Sequence, residues 1–357
     1  MQPLRIAIVG AGAIAQRNAA EAAGSGAATV AGVFDINTKV ARDMAKKLGT
    51  TVFTSYDEVL GSRSVDAVLM NTPHHVHRSM TEQAAAAGKH VLVEKPLATT
   101  LEDAEAMIAA CRRAGVGLTV NYSFRYLPQI IKARQLVQDG ALGDIVGIQI
   151  ISHQFKDRGY WMGARSNSPD DWRASREKCG GGFLIMTVCH NVDWMYYVSG
   201  LKATRVYSEW ATLASPGDVE DIISISSRWG DRAVASLSAS SIMRGADFGE
   251  ERIWGTNGTM IIGRDGSLSV YSTRPFDGRR PGQMHVYKKF PTVSWTGDWI
   301  REFVNAVREG RDPAVGSREG WENLAFILSS YRSMEIGAPV DVPVYSEALV
   351  SAPALVS

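Results

Sequence analysis

A chain of 357 residues with 45% hydrophobic and 21% charged residues has the composition of a globular protein large enough for two domains. A net charge of +1 gives no global reason to bind nucleic acid or an acidic membrane, and no apolar run is long enough for a spanning helix. Cys111, Cys179 and Cys189 form no CxxC and no disulfide framework, and MQPLRIAIVG lacks the marks of a signal peptide, so a cytoplasmic protein is expected.

Leu4 to Val9 reads as a buried strand that runs into a glycine turn and an Ala-rich helix. Gly10, Gly12 and Ala15 fill a G-x-G-x-x-G/A fingerprint. The first glycine makes a tight turn, the second lets the backbone approach a pyrophosphate, and the small third residue lets helix and strand pack closely. Ala13 and Ile14 open that helix, where free N–H groups offer an anion site. A second strand, ATVAGVFD, ends in Asp35. A carboxylate there accepts from both ribose hydroxyls and repels a 2′-phosphate, and no arginine follows in Ile36 and Asn37, so NAD is favoured over NADP. The competing reading makes Asp35 only the N-cap of the helix NTKVARDMAKKLG.

Alternation continues through VDAVLM, the helix VHRSMTEQAAAAG, the strand KHVLVEK, the helix LEDAEAMIAACRRAG capped by Thr100, and a sixth strand in VGLTVNYS. The class is α/β: a Rossmann doubly wound parallel sheet over residues 1–122, with ligands beyond the carboxyl ends of its strands. NTPHHVH and EKP fall at two of those ends. The H-H-x-H spacing of His74, His75 and His77 matches no strong ligand pattern, so no metal is expected and a loop beside the cofactor explains them better.

Tyr122 and Arg125, in NYSFRY, stand where the sixth strand leads onward and either touch substrate or pack an interface. After the helix LPQIIKARQLVQDG, strand-like runs occur at VGIQIISHQF, ATRVYSEWATL, DIISISSRWG, AVASLSASS, RIWGTNGTMIIG and SLSVYS. They predict an α+β domain over 123–340 with a largely antiparallel open sheet. Late helices around Trp299–Arg308 and Trp321–Met334 pack back on the body, and 341–357 form a tail. The segment HQFKDRGYWMGARSNSPDDWRASREKC is rich in aromatics and arginines. Tyr160, Trp161 and Trp172 can stack on a sugar ring, and Arg158 and Arg165 can fork onto an acidic group. Equally, its arginines can pair with Asp157, Asp170, Asp171 and Glu177 in a solvated loop. In CGGGFLIMTVCHNVDW, Met186, His190 and Asp193 are spaced i, i+4, i+7 and share a helical face. That face belongs either to a core helix with satisfied polar groups or to a reaction site.

GAGAIA, TPHHVH, VEKPLA, NYSFRY and the G-G-G…H-x-x-D pattern at 180–193 together resemble the glucose–fructose oxidoreductase / inositol dehydrogenase (Gfo/Idh/MocA) family, over nearly the whole chain. The resemblance implies an NAD-dependent oxidoreductase acting on a secondary hydroxyl of a sugar, polyol or sugar derivative. It also implies a homodimer or homotetramer formed through the second sheet. Cofactor contacts fall on Gly10, Gly12, Asp35, Thr72, the adjoining Pro73, His77, Glu94 and Lys95, with a Trp172–Arg173 pair closing over the site. Lys95 and His190 match positions for substrate binding and proton transfer. His190 is the natural base, with an unperturbed pKa of about 6.5, and Lys95 would stabilise charge on the same oxygen. Asp193, one turn on, is read as structural more than catalytic, though within the substrate region. The family's usual acid four residues before the histidine is Met186 here, which can only pack and accept weakly. A second reading is therefore kept: a redox-neutral glycoside hydrolase or lyase working by oxidation, elimination and reduction with retained NAD. A non-catalytic nucleotide sensor is disfavoured by the presence of both Lys95 and His190.

Overall fold

The computed structural model describes residues 2–162, 172–245, 247–290 and 297–347. Its first part runs β1 (Leu4–Val9), α1 (Ala13–Gly24), β2 (Ala28–Phe34), α2 (Thr38–Leu48), β3 (Thr51–Val52) and α3 (Tyr56–Gly61). It continues with β4 (Ala67–Met70), α4 (His77–Ala86), β5 (His90–Val93), α5 (Leu101–Ala114) and β6 (Leu118–Val120). The six strands pair in parallel in the order β3-β2-β1-β4-β5-β6, so the order reverses between β1 and β4. Ile6 to Val9 and all of β4 are buried, as strands covered on both faces must be. The reversal leaves a crevice beyond the strand ends, where such sheets take their ligands.

Helix ends follow their capping residues. Thr100 Oγ1 accepts from the Asp103 N–H at 3.1 Å and opens α5, as expected. The cap of α2 is Asn37, whose side chain accepts from Lys39 and Val40, so the capping role considered for Asp35 belongs two residues later.

The second part runs α6 (Pro128–Gln138), β7 (Ile145–His153), α7 (Arg158–Trp161), α8 (Arg176–Cys179) and α9 (Cys189–Ser199). Next come β8 (Ala203–Ala211), β9 (Ile222–Trp229), β10 (Ala233–Ser240), β11 (Phe248–Gly255), β12 (Gly258–Gly263), β13 (Leu268–Ser272) and β14 (Met284–Val286). The chain closes with α10 (Asp298–Glu309), α11 (Ser317–Ile336) and β15 (Val340–Asp341). These strands form one sheet, β14-β13-β12-β11-β7-β10-β9-β8-β15, antiparallel except where β7 lies parallel to β10. The run RIWGTNGTMIIG is two strands rather than one: the chain folds back at Thr256–Asn257 and Trp254 pairs with Thr259. An Asn-Gly pair between apolar runs is a strong hairpin signal, and it outweighs the apolar continuity.

Helices α6, α9 and α11 cover one face of this sheet. Along β9 buried and exposed residues alternate, leaving Ser224, Ser226 and Arg228 on an open face beside the exposed Tyr207 and Val234. The polypeptide then returns to the first sheet. Trp299, Ile300, Phe303 and Val304 of α10 pack with Ile6, Ile8 and Leu92, and the Trp299 indole donates to Glu21 of α1. Helix α10 thus follows the second sheet in the chain but packs with the first. Among the described residues no helix is long and apolar enough to cross a membrane.

Candidate active site

At the end of β1 the chain turns through Gly10 with φ +84°, and a Cβ there would lie 2.8 Å from the Asn71 carbonyl oxygen. Only glycine fits both the conformation and the approach. The turn brings the start of α1 to a cleft of about 450 Å³. Ala13, Ile14 and Arg17 form one wall, and Asn71, Thr72 and His74, beyond β4, form the next. Glu94 and Lys95, beyond β5, form its floor with Met186, and Tyr160, Trp172 and Arg173 complete it. The helix that opens here has no side-chain cap at Gly12, and the Thr72 hydroxyl is buried without a hydrogen-bond partner. An uncapped helix start and an orphaned hydroxyl are what a phosphate-bearing cofactor would satisfy.

Glu94 is fixed by amides the sequence reading did not single out. Its Oε1 accepts from Asn18 and Asn121, each at 2.6 Å, and Asn18 also donates to Asn71 Oδ1 at 2.7 Å. The available signal was an asparagine on the buried face of an Ala-rich helix, a position that costs stability unless it is paired. Lys95 points its ammonium at the main chain of Met186, donating to that carbonyl oxygen at 2.5 Å. Residues Leu184–Val188 form a π-turn, with i→i+5 bonding, ahead of α9. Where the resemblance expects an acidic side chain, the backbone supplies the acceptor.

That turn also overturns the shared face. Its wider winding rotates Met186 out of register with α9, and the three residues meet three surroundings. Met186 lines the cleft. His190 lines a second cavity of about 250 Å³, bounded by Phe124, β7 and β11. Asp193 is buried and accepts both Nε and Nη2 of Arg125, at 2.8 and 2.6 Å. The Arg125 side chain is 8% exposed and Asp193 1%, so both are spent on each other rather than presented to substrate. Removing one partner of such a buried pair typically costs about 3–5 kcal/mol.

The His190 ring stacks on Phe124 at 4.3 Å and meets Tyr122 edge-on at 5.9 Å. Burial, then the positive charges of Lys95 and Arg17, push its pKa well below the usual histidine value. Its Nδ1 is buried with no hydrogen-bond partner. The imidazole is neutral and free to accept a proton.

Other expected residues lie elsewhere. Asp35 Oδ2 accepts from Ala11 N–H and Oδ1 from Asn37 N–H, both at 2.7 Å, so the carboxylate braces the glycine turn from outside the cleft. His77 is buried as a strut, Nδ1 at 3.1 Å from the Pro96 carbonyl and Nε2 at 3.2 Å from that of Thr72. Pro73 lines neither cavity. The Tyr122 hydroxyl donates to Asn323 Oδ1 at 3.0 Å, and Trp161 is buried in the core. Arg158 is exposed on α7 and lines neither cavity, and Arg165 lies outside the described residues. By contrast Trp172 and Arg173 do reach the cleft, with the guanidinium 4.6 Å above the indole. The edge of Trp172 meets His74 at 4.7 Å, and His74 Nδ1 donates to the Cys179 carbonyl at 2.8 Å.

The glycine triplet answers to Glu220. Its carboxylate accepts from the Gly182 and Leu184 N–H groups and from the Tyr331 hydroxyl, holding the start of the π-turn. A Cβ on Gly182 would lie 2.0 Å from the Glu220 carbonyl oxygen. Burial pushes the Glu220 carboxyl up to about 7 against these bonds.

Comparison with known proteins agrees with this fold. A family model described as "Oxidoreductase family, NAD-binding Rossmann fold" matches residues 4–122, and the "GFO/IDH/MocA C-terminal domain" matches residues 130–262. The chain is 30% identical to the 1,5-anhydro-D-fructose reductase of Ensifer adhaerens over 81% of its own length and 83% of the reductase. It is 24% identical to the myo-inositol 2-dehydrogenase of Thermotoga maritima, over 93% and 96% of the two chains. Among solved structures, a levoglucosan dehydrogenase in complex with NADH and L-sorbose superposes with a TM-score of 0.85 at 22% identity, covering 97% of this chain and 100% of that one.

Proposed function

Because the chain belongs to the GFO/IDH/MocA family of NAD-binding oxidoreductases, we propose that it oxidises a secondary hydroxyl of a sugar, polyol or sugar derivative, with Lys95 and His190 handling the proton. One observation carries the reading. The Lys95 ammonium shares a single cleft with the uncapped start of α1 and the unpartnered Thr72 hydroxyl, at the point where the strand order reverses.

When bound, NAD supplies the hydride acceptor. Gly10, Gly12, Ala13 and Ile14 would hold its phosphates, Thr72 and Glu94 would meet it deeper in the cleft, and Trp172 with Arg173 would cover it. Asp35 sits at the end of β2, where its charge favours free ribose hydroxyls over a 2′-phosphate. A lysine ammonium has three donors, and the Met186 carbonyl takes one, leaving others for the substrate oxygen. The neutral His190 takes the hydroxyl proton as hydride leaves. We further place the protein in the cytoplasm, with its three buried free thiols kept reduced, and assign the open sheet face to a homo-oligomer.

Lys95→Ala and His190→Ala test the assignment, with NADH binding measured separately by fluorescence. Loss of a positioned acid–base group lowers turnover by about 10²–10⁴-fold, and nucleotide affinity is expected to stay within a few-fold in His190→Ala, whose residue lies outside the cofactor cleft. Unchanged turnover in either variant removes that residue from the chemistry.

A further inference from the structure

The cavity of about 250 Å³ beside His190 has features the cofactor reading does not use. Four side chains on its wall carry a buried polar atom with no hydrogen-bond partner: Gln129 Oε1, His190 Nδ1, Trp194 Nε1 and Glu251 Oε2. Buried polar groups without partners are rare in folded proteins, and each such group calls for an explanation. Finding four around one cavity points to a guest that brings donors and acceptors together.

Glu251 is the most costly of the four. It lies on β11, on the covered side of the sheet, and is 1% exposed. One carboxyl oxygen accepts from the Asn191 amide, and the other has no partner. Among the described residues no cation reaches it at hydrogen-bond distance: the Arg264 guanidinium on the same wall acts on it only through its charge and lies 3.8 Å from Asp247. A fold that needed only packing here would place an apolar residue, since burying such a group is unfavourable. Burial pushes the carboxyl up to about 8, so at neutral pH it keeps its proton. A protonated carboxyl offers a donor and an acceptor side by side, the pair that a hydroxyl needs.

We propose that this cavity receives the hydroxyl-bearing ring of the substrate and that Glu251 is a specificity-determining residue that binds one ring hydroxyl. The dehydrogenase reading supplies the identity of the guest as a sugar or polyol, so the proposal rests on it. His190, on the same wall, then links the ring to the proton-transfer step. The volume lies below the roughly 300–1,000 Å³ of sites for drug-sized ligands, which suits a single ring. Lys156 and Arg264 on the same wall disfavour a cationic guest.

Calorimetry on the NADH-loaded protein tests this, using monosaccharides, inositols and analogues of each that lack one hydroxyl. Turnover with NAD is measured separately, and thermal melts confirm folding. Wild type should bind one deoxy analogue about tenfold more weakly than its parent, the worth of one hydrogen bond to a buried group. Glu251→Ala should weaken the parent by the same factor without weakening that analogue further. Glu251→Gln, whose amide keeps a donor and an acceptor and the shape of the side chain, should retain most of the affinity. If every ligand loses equally in Glu251→Ala, or folded Glu251→Gln and Glu251→Ala bind all ligands as wild type does, the proposal is overturned while the dehydrogenase reading stands. If no compound binds, the proposal is likewise overturned. Glu251-dependent binding without turnover supports the proposal and counts against the dehydrogenase reading instead.

Discussion

His190 carries an imidazole that burial and two nearby cations hold in its neutral form. A base must be unprotonated to act, so lowering its pKa extends activity toward acid. The acid limb of kcat/KM should therefore fall below the ordinary histidine range near 6.5. A pH–rate profile with that limb at or above 6.5 would contradict the assignment. Glu251 acts on stability with the opposite sense. Its folded pKa of about 8 lies above the ordinary glutamate value of 4.5, so the folded state binds the extra proton. Stability is then highest below about 4.5 for this group and declines as pH rises toward 8, by several kcal/mol as an upper bound. Melting temperatures of Glu251→Gln should decline less between pH 5 and pH 8 than those of wild type, with Glu220, at about 7, leaving part of the slope in place. Parallel curves would mean that Glu251 is already ionised in the folded protein.

The unit that organises the cleft is the glycine triplet with its π-turn. Gly182 leaves no room for a side chain, and the turn it starts supplies the carbonyl that Lys95 uses. Gly182→Ala should cost about 2 kcal/mol or more through overpacking and lower turnover by moving that carbonyl, both readable from a melt and a rate. Wild-type values for both would show that the turn is tolerant. Much of the first sheet was legible in the sequence because its signals are local. A buried run in β1, a glycine turn and an acid closing β2 lie close together in the chain, and Thr100 sits where a cap belongs. The two-residue β3 carries too few residues to show a period. Met186 and His190 could not be separated from sequence, since spacing presumes 3.6 residues per turn and the π-turn breaks that premise. The sequence left Arg125 open between substrate contact and packing and read Asp193 as structural more than catalytic, but it could not pair them, because nothing in it reveals a partner 68 residues away. The Glu94 network and the Glu251 cavity likewise join distant segments.

Across the molecule, α10 follows the second sheet in the chain but packs on the first, and α11 packs both on β8 of the second sheet and on α5 and β6 of the first part. The second sheet leaves an open face with Tyr207 and Val234 exposed among serines. Val234→Glu together with Tyr207→Glu should shift a homo-oligomer toward monomer in sedimentation while leaving the melt of the monomer near that of wild type. Unchanged sedimentation would place the contact on another surface.

The central claim is that hydride passes to NAD from the carbon that bears a sugar hydroxyl and departs with it. The most direct test incubates the protein with limiting NAD and a panel of sugars, uronates, polyols and glycosides, and counts product by mass spectrometry. An oxidised product that stops at the amount of NAD supplied, matched by NADH, is the predicted result. Product far exceeding the NAD, with a glycosidic bond cleaved, would contradict it and mean that the hydride returns to the substrate within the site.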